Sequence, residues 1–300
     1  MALDGILALD KPAGITSHDV VQQLRRLSGQ RRVGHVGTLD PLATGLLLIC
    51  FGRSTRLVEY LMDRPKRYTA TIRLGQTTDT YDAEGSITQE RPVLVSSAEI
   101  AAALASFRGT IQQYAPIYSA IKRDGTPLYK LAREGKEVER PLREVTFYDL
   151  TLDSWQNPFL IVDAHCSAGT YIRSLAHDLG EALGCGGHIA ALRRTAIGDV
   201  TVAQAVPLAE LDAPQLAARL VPGHMAVAHL PRLTFPAEEA QQLLLGQRLS
   251  LNPEAPESAL PQGSPVRAYG SEDTFLGILI VRDETWQPHK IFLTPQEFAF

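Results

Sequence analysis

The sequence predicts an α+β fold with a second, smaller unit at its C-terminal end, and three observations predict it. Strand-like and helix-like segments are intermixed without the regular strand–helix–strand cadence of a doubly wound sheet. Apolar residues make up 45% and charged residues 21% of the 300 residues, the ordinary composition of a globular chain able to bury a sizeable core. Charge is also unevenly spread. From Pro231 onward there are five basic and nine acidic side chains, which accounts for the whole formal net charge of −4, and everything before it balances at zero.

Along the chain, Ile6-Leu7-Ala8-Leu9 is a short apolar strand, broken at Asp10-Lys11-Pro12-Ala13-Gly14. Thr16 and Asp19 have the spacing of a capping box, followed by Val20, Val21, Leu24 and Leu27 on one helical face, with Ser28-Gly29 as the stop. Leu46–Phe51 is an apolar run of strand length, after which Ser54 is expected to cap a helix carrying Leu57, Val58 and Leu61. Tyr68–Leu74 alternates and is rich in Thr and Ile, as a strand should be. Ala98–Phe107, with Ser97 before it, reads as a helix. Val145–Leu152 and Phe159–Cys166 read as two strands joined at Asn157-Pro158, and Tyr171–Leu183 has helical spacing through Ile172, Leu175, Ala176 and Leu179.

Between residues 119 and 145 the chain turns polar and basic, with glycines and prolines, which predicts an exposed excursion from the core. A stretch rich in Pro, Ala and Leu from Pro207 to Pro231 then leads to a unit with a helix near Glu238–Leu245 and strands such as Thr274–Val281. The expected division is 1–230 and 231–300. Cys50, Cys166 and Cys185 show no paired spacing and are expected as buried, reduced thiols. No apolar run reaches the ~20 residues of a membrane helix, and an acid stands where a signal peptide has its basic start. A cytoplasmic location with no membrane association is the expectation.

The densest segment for chemistry is Gly34-His35-Val36-Gly37-Thr38-Leu39-Asp40-Pro41-Leu42-Ala43-Thr44-Gly45. Its glycines allow backbone conformations and close approaches closed to other residues. Pro41 biases Asp40 toward an extended or turn geometry. Read locally, this is either an ordinary turn before a buried strand or a carboxylate aimed at a ligand.

The segment resembles the signature of the tRNA pseudouridine-55 synthases, the TruB-type branch of the pseudouridine synthases. Further blocks agree in order: Leu9-Asp10-Lys11-Pro12-Ala13-Gly14; Lys66-Arg67-Tyr68 with Arg73-Leu74-Gly75-Gln76-Thr77-Thr78-Asp79-Thr80 and Asp82-Ala83-Glu84-Gly85; Tyr118-Ser119-Ala120-Ile121-Lys122; Cys166-Ser167-Ala168-Gly169-Thr170-Tyr171-Ile172-Arg173; and Leu192-Arg193-Arg194. Departures are Val36 and Ala115, which supply no reacting group. The resemblance implies a pseudouridine synthase fold, a mixed and largely antiparallel sheet flanked by helices, with a small β-rich PUA-like domain behind it.

It also implies roles. The reaction detaches uracil from C1′ of its ribose and rejoins it through C5, with no redox change and no energy input; no cofactor is expected, and no metal, since the sequence shows no ligand cluster. Asp40 is the implied nucleophile or base. Arg173 is its partner, forking onto the carboxylate with two hydrogen bonds. Tyr68 is the stacking platform for free uracil and the base for the C5 proton. His35 stacks where the extruded uridine stood, Leu192 forms an apolar wall, Tyr171 supports the Arg173–Asp40 geometry, and Lys11 either supports the loop or acts directly. The implied partner is the T-arm stem-loop of tRNA, with no obligate protein partner. Arg25, Arg26, Arg31 and Arg32, then Lys122, Arg123, Lys130, Arg133 and Lys136, and then Arg193 and Arg194 are candidate phosphate contacts. Two rivals stand beside this reading. One is a hydrolase using Asp40 on a sugar, which needs a second carboxylate that no block obviously sets beside it; the other is a non-catalytic RNA-binding module.

Overall fold

The computed structural model describes residues 2–118, 122–123, 126–127, 140–252 and 259–298. The side chains of Lys122, Arg123, Lys130, Arg133 and Lys136 lie outside what it describes. The chain forms two compact units, one of Leu7–Ile49 and Val58–Arg219, the other of Met1–Ile6, Cys50–Leu57 and Leu220–Phe300.

The larger unit is built on a ten-stranded mixed sheet. Its strands are β1 (Gly5–Lys11), β2 (Val33–Val36), β3 (Thr44–Phe51), β4 (Lys66–Leu74), β7 (Gly109–Tyr114), β10 (Leu142–Gln156), β11 (Phe159–Cys166), β12 (Gly187–Ile197), β13 (Val200–Thr201) and β14 (Val206–Pro207). The main path runs β14-β1-β3-β12-β4-β11-β10-β7. Pairing is parallel at β1–β14 and β3–β12 and antiparallel from β12 through β4, β11 and β10 to β7. Two short hairpins stand apart, β5 (Gln76–Thr78) with β6 (Ile87–Glu90) and β8 (Lys122–Arg123) with β9 (Thr126–Pro127). The mixed, mostly antiparallel sheet is thus as expected. β4 alternates strictly, with Tyr68, Ala70, Ile72 and Leu74 buried and the residues between them partly exposed.

Helices α1 (Ser17–Ser28), α2 (Val58–Met62), α3 (Ser97–Ala105), α4 (Ile172–Ala182) and α5 (Ala213–Arg219) accompany the sheet. The Thr16–Asp19 capping box forms in both directions, and Gly29 ends α1 in the left-handed region at φ 66°. α3 is capped by Ser96 with Glu99, one residue earlier than the sequence suggested. Ser54 does not cap a helix. It lies inside a 3₁₀ turn (Gly52–Leu57), where its N–H and hydroxyl both donate to the Asp4 carboxylate. That acid takes the anchoring role assigned to the serine. β10 and β11 are joined through a cis Asn157-Pro158 peptide.

The smaller unit carries a five-stranded sheet in the order β15-β17-β18-β19-β16, from β15 (Arg232–Thr234), β16 (Leu249–Ser250), β17 (Pro265–Tyr269), β18 (Phe275–Arg282) and β19 (Thr285–Ile291). Helices α6 (Gly223–Ala226) and α7 (Ala237–Leu244) belong to it. Its core gathers Phe235, Leu243, Val266, Leu276, Leu279, Trp286 and Phe298. All three cysteines are buried and unpaired, and burial pushes the Cys50 and Cys166 thiols up to about 12.

Candidate active site

The loop between β2 and β3 carries Asp40 and is pinned from several sides. Ser17, the first residue of α1, is buried, and its hydroxyl donates to the Leu39 carbonyl at 3.1 Å while accepting the Leu39 N–H at 2.8 Å. The Ala43 N–H closes a turn on the Asp40 carbonyl at 3.1 Å, and the Gly14 N–H holds the Pro41 carbonyl at 2.9 Å. Gly37 adopts φ 69° and gives its carbonyl to Arg194 at 3.0 Å. Gly45 has φ 98°, and a Cβ there would sit 2.3 Å from the Arg194 carbonyl. Only glycine lets β3 lie this close to β12.

Lys11 is 0% exposed. Its ammonium donates to the carbonyls of Pro12 at 2.7 Å, Ile15 at 2.6 Å and Pro41 at 3.2 Å. All three N–H groups are therefore spent on main-chain oxygens. These contacts tie Lys11 to the loop that carries Pro41. Burial depresses its pKa to about 8, with Asp40 pulling the other way.

Arg173 sits in the first turn of α4, with 7% of its side chain exposed. Nε meets Asp40 Oδ2 at 3.0 Å. The expected two-pronged fork onto Asp40 does not form, because the other nitrogens are taken. Nη1 donates to the Thr80 carbonyl at 3.1 Å and to Asp82 Oδ2 at 3.4 Å, and Nη2 donates to the Tyr118 carbonyl at 2.8 Å. The guanidinium thus bridges two carboxylates. Asp40 keeps 38% of its side chain exposed, and among the described residues Oδ1 has no hydrogen-bond donor. Burial still raises its carboxyl above the ordinary range, opposed chiefly by Arg173 and reinforced by Asp82.

Asp82 is buried, with Oδ1 accepting from the Thr80 hydroxyl at 2.6 Å and the Glu84 N–H at 3.1 Å. Glu84 is exposed; burial and the Asp82 and Asp40 charges raise its carboxyl, and the Leu42 N–H opposes them. Two further carboxylates therefore gather about Asp40, where none was expected. Both lie in the Asp82-Ala83-Glu84-Gly85 block, so the signal was an acid-rich turn. Asp82, engaged by the Thr80 hydroxyl, the Glu84 N–H and Arg173, is not the free acid a retaining glycosidase needs.

Tyr68, on β4, pairs in register with Arg194, and Leu192 pairs with Ala70, so Tyr68, Leu192 and Arg194 share one face of the sheet. Tyr68 and Leu192 are both almost wholly buried. Burial raises the Tyr68 phenol and outweighs the Arg194 hydrogen bond that favours its ionised form. Arg194 was expected on RNA. Instead it is fully buried, donating to the carbonyls of Leu46 at 2.8 Å and Gly37 at 3.0 Å and to Tyr68. Its neighbour Arg193 forks onto Asp10 at 2.5 and 3.0 Å. Arg25 is likewise drawn inward, onto the Val33 carbonyl at 3.0 Å. Arg26, Arg31 and Arg32 remain exposed.

His35, on β2, is half-buried, its Nδ1 buried without a hydrogen-bond partner among the described residues. Burial, then Arg194, lowers its pKa, so the ring is neutral near pH 7. Tyr171 is the N-cap of α4, and buried Gln113 pinches its main chain, accepting its N–H at 2.8 Å and donating to its carbonyl at 3.1 Å. That anchors the helix start two residues before Arg173.

Comparison with known proteins finds matches along most of the chain. Residues 25–172 match the TruB family pseudouridylate synthase N-terminal domain. Residues 173–240 match the tRNA pseudouridylate synthase B C-terminal domain, and 231–289 match the pseudouridine synthase II TruB C-terminal region. A tRNA pseudouridine synthase B of Haemophilus influenzae (strain 86-028NP) is 42% identical over 96% of this chain and 95% of its own. One of Burkholderia mallei (strain NCTC 10247) is 44% identical over 98% of each. Among solved structures, the archaeal box H/ACA sRNP Nop10–Cbf5 complex aligns over 99% of this chain and 88% of its own, with a TM-score of 0.74 at 24% identity. An H/ACA RNP bound to a substrate RNA containing 2′-deoxyuridine aligns with a TM-score of 0.75 at 22% identity, over 98% and 87%. These last two speak for the fold alone, whereas the curated relatives speak for descent: the chain belongs to the TruB family of pseudouridine synthases.

Proposed function

We propose that the protein converts uridine to pseudouridine at position 55, in the TΨC loop of tRNA, by extruding the base and engaging it with Asp40, with no cofactor. The observation that carries this reading is the Asp40 carboxylate, held by Arg173 Nε through one oxygen with the other free of donors among the described residues, on a loop anchored at Ser17, Lys11 and Arg194. An oriented carboxylate with an open oxygen is what attack on C1′ or on the base, or abstraction of a sugar proton, requires. The two relatives described above, both named tRNA pseudouridine synthase B, support tRNA as the substrate.

Tyr68 and Leu192 offer the detached uracil an aromatic face and an apolar wall without fixing its rotation. Removal of the C5 proton by Tyr68 requires its phenolate, a form that Arg194 favours and burial disfavours. Tyr68→Phe separates the two roles: loss of product with retained binding supports the base, and full activity leaves only the platform. Neutral His35 is suited to stack in the space the uridine leaves. Exposed Arg26, Arg31 and Arg32 supply phosphate contacts that weaken with salt.

The test is mass-tagged pseudouridine mapping on an unmodified tRNA transcript incubated with the purified protein alone. Conversion of the uridine at position 55 supports reaction and target together. Conversion elsewhere moves the target, and tight binding without conversion favours the non-catalytic RNA-binding module.

A further inference from the structure

We propose that Tyr81 is a positioning residue for the isomerisation, acting through Arg173; the proposal rests on the reaction assigned above. The turn between β5 and β6 delivers two of the acceptors that hold Arg173, the Thr80 carbonyl and the Asp82 carboxylate. Tyr81 lies between them, at φ 64°. The other non-glycine residues at positive φ among the described residues are Glu272, Asp273, Asp283 and Glu284, all in the smaller unit. A bulky side chain in this backbone region is disfavoured and persists only where its surroundings over-determine it.

The surroundings do so on every side. The Tyr81 ring stacks face to face on His177, with centroids 3.9 Å apart and planes 9° apart. Its hydroxyl accepts from Arg140 Nη1 at 2.8 Å, and that guanidinium also lies 5.2 Å from the Tyr114 ring. The main chain is fixed too: the Tyr81 N–H closes a turn on the Thr78 carbonyl at 3.3 Å, and its carbonyl accepts the Ile189 N–H of β12 at 3.0 Å.

His177 stands four residues after Arg173 on α4, so both side chains project from one face of the helix. α4 therefore grips this turn at two levels, with Arg173 on the main chain and carboxylate of residues 80 and 82 and His177 on the ring of residue 81. The Arg173–Asp82 contact is long at 3.4 Å, and the same Nη1 serves Thr80. A small shift of the turn would break it and free the guanidinium to leave Asp40. The stack holds the turn in place, and the hydroxyl adds a tie to Arg140.

The experiment measures single-turnover pseudouridine formation at saturating protein, tRNA affinity, and the acidic limb of the pH–rate profile. The variants are Tyr81→Ala, Tyr81→Phe, His177→Ala and Arg173→Lys, with Tyr81→Ala and His177→Ala each also combined with Arg173→Lys. Tyr81→Ala is expected to slow the chemical step by roughly tenfold or more with affinity within about threefold. Its acidic limb should move upward, because Asp40 loses the cation that keeps it ionised. Tyr81→Phe, which keeps the stack, should stay within about threefold of the parent. In the Arg173→Lys background, the Tyr81→Ala effect should largely vanish, the signature of two residues acting through one contact. His177→Ala is read in the same cycle and decides the matter if Tyr81→Ala does not fold. Rates within threefold for both Tyr81→Ala and His177→Ala, an unmoved acidic limb, or fully additive losses with Arg173→Lys would overturn the proposal. A parent protein that forms no pseudouridine overturns the assigned reaction, and this role with it; an active parent with an indifferent Tyr81 overturns this role alone.

Discussion

Replacing Arg173 with lysine keeps the positive charge but removes the geometry on which the site depends. The guanidinium meets Asp40 at 3.0 Å, Asp82 at 3.4 Å, and the Thr80 and Tyr118 carbonyls at 3.1 and 2.8 Å, using all three of its nitrogens. A single ammonium on a flexible stem cannot span acceptors arranged around a planar fork. At least two charge-assisted hydrogen bonds are lost, each worth about 1.5–3 kcal/mol. Asp40 is 38% exposed, so solvent screens that pair and the lower part of the range applies to it. About 1.5–2 kcal/mol of lost transition-state stabilisation corresponds to a rate reduced roughly 10- to 30-fold. Asp82 is different, with only 5% of its side chain exposed. Arg173→Ala would strand that carboxylate at a cost of about 3–5 kcal/mol, roughly a 10 °C fall in melting temperature for a domain of this size. Single-turnover pseudouridine formation and a thermal melt, run on both variants, measure the two quantities separately. An Arg173→Lys protein that reacts within about threefold of the parent would refute this account of how Asp40 is held.

Three other outcomes follow from the same contacts. Lys11→Met strips donors from three carbonyls and should destabilise the protein by about 2–4 kcal/mol, read from urea midpoints. The deficit should widen as pH rises: the folded pKa of about 8 lies below the ordinary 10.5, so between these values the unfolded parent binds the extra proton and Lys11 comes to favour the native state. A deficit constant or shrinking from pH 8 to 10 contradicts this. The acidic limb of the parent's pH–rate profile should lie above the ordinary carboxylate value, because burial raises Asp40; a rate flat down to about pH 4 contradicts it. Gly45→Ala should unfold the protein or displace Arg194, since its Cβ would meet the Arg194 carbonyl at 2.3 Å; unchanged melting and activity would refute the close approach of β3 and β12.

Much of this was legible in the sequence because it is local. The Thr16–Asp19 capping box, the alternation through Tyr68–Leu74 and the apolar run before Phe51 are patterns a few residues long, and each is found in place. What was not legible depends on contacts across the chain. Arg193 and Arg194 look like an exposed basic pair in one dimension. Their neighbours on β1 and β3 turn one into a partner of Asp10 and the other into an internal brace. Arg25 is drawn onto β2 for the same reason. The acceptors that divide Arg173 between two carboxylates come from residues 80, 82 and 118, more than fifty positions away. The resemblance could therefore imply that an arginine meets Asp40, but not how many of its nitrogens are free to do so. Ser54 is not a cap because its own N–H and hydroxyl donate to Asp4, fifty residues earlier.

Everything proposed for the reaction turns on the Asp40 carboxylate. The most direct measurement is single-turnover conversion of uridine to pseudouridine in a tRNA transcript by Asp40→Asn, with transcript binding measured on the same preparation. The amide keeps the shape of the side chain and can still accept from Arg173, but it cannot act as nucleophile or base. Asp40→Asn should form no detectable pseudouridine, with affinity within a few-fold of the parent. Pseudouridine formed by Asp40→Asn at a rate near the parent's would contradict it.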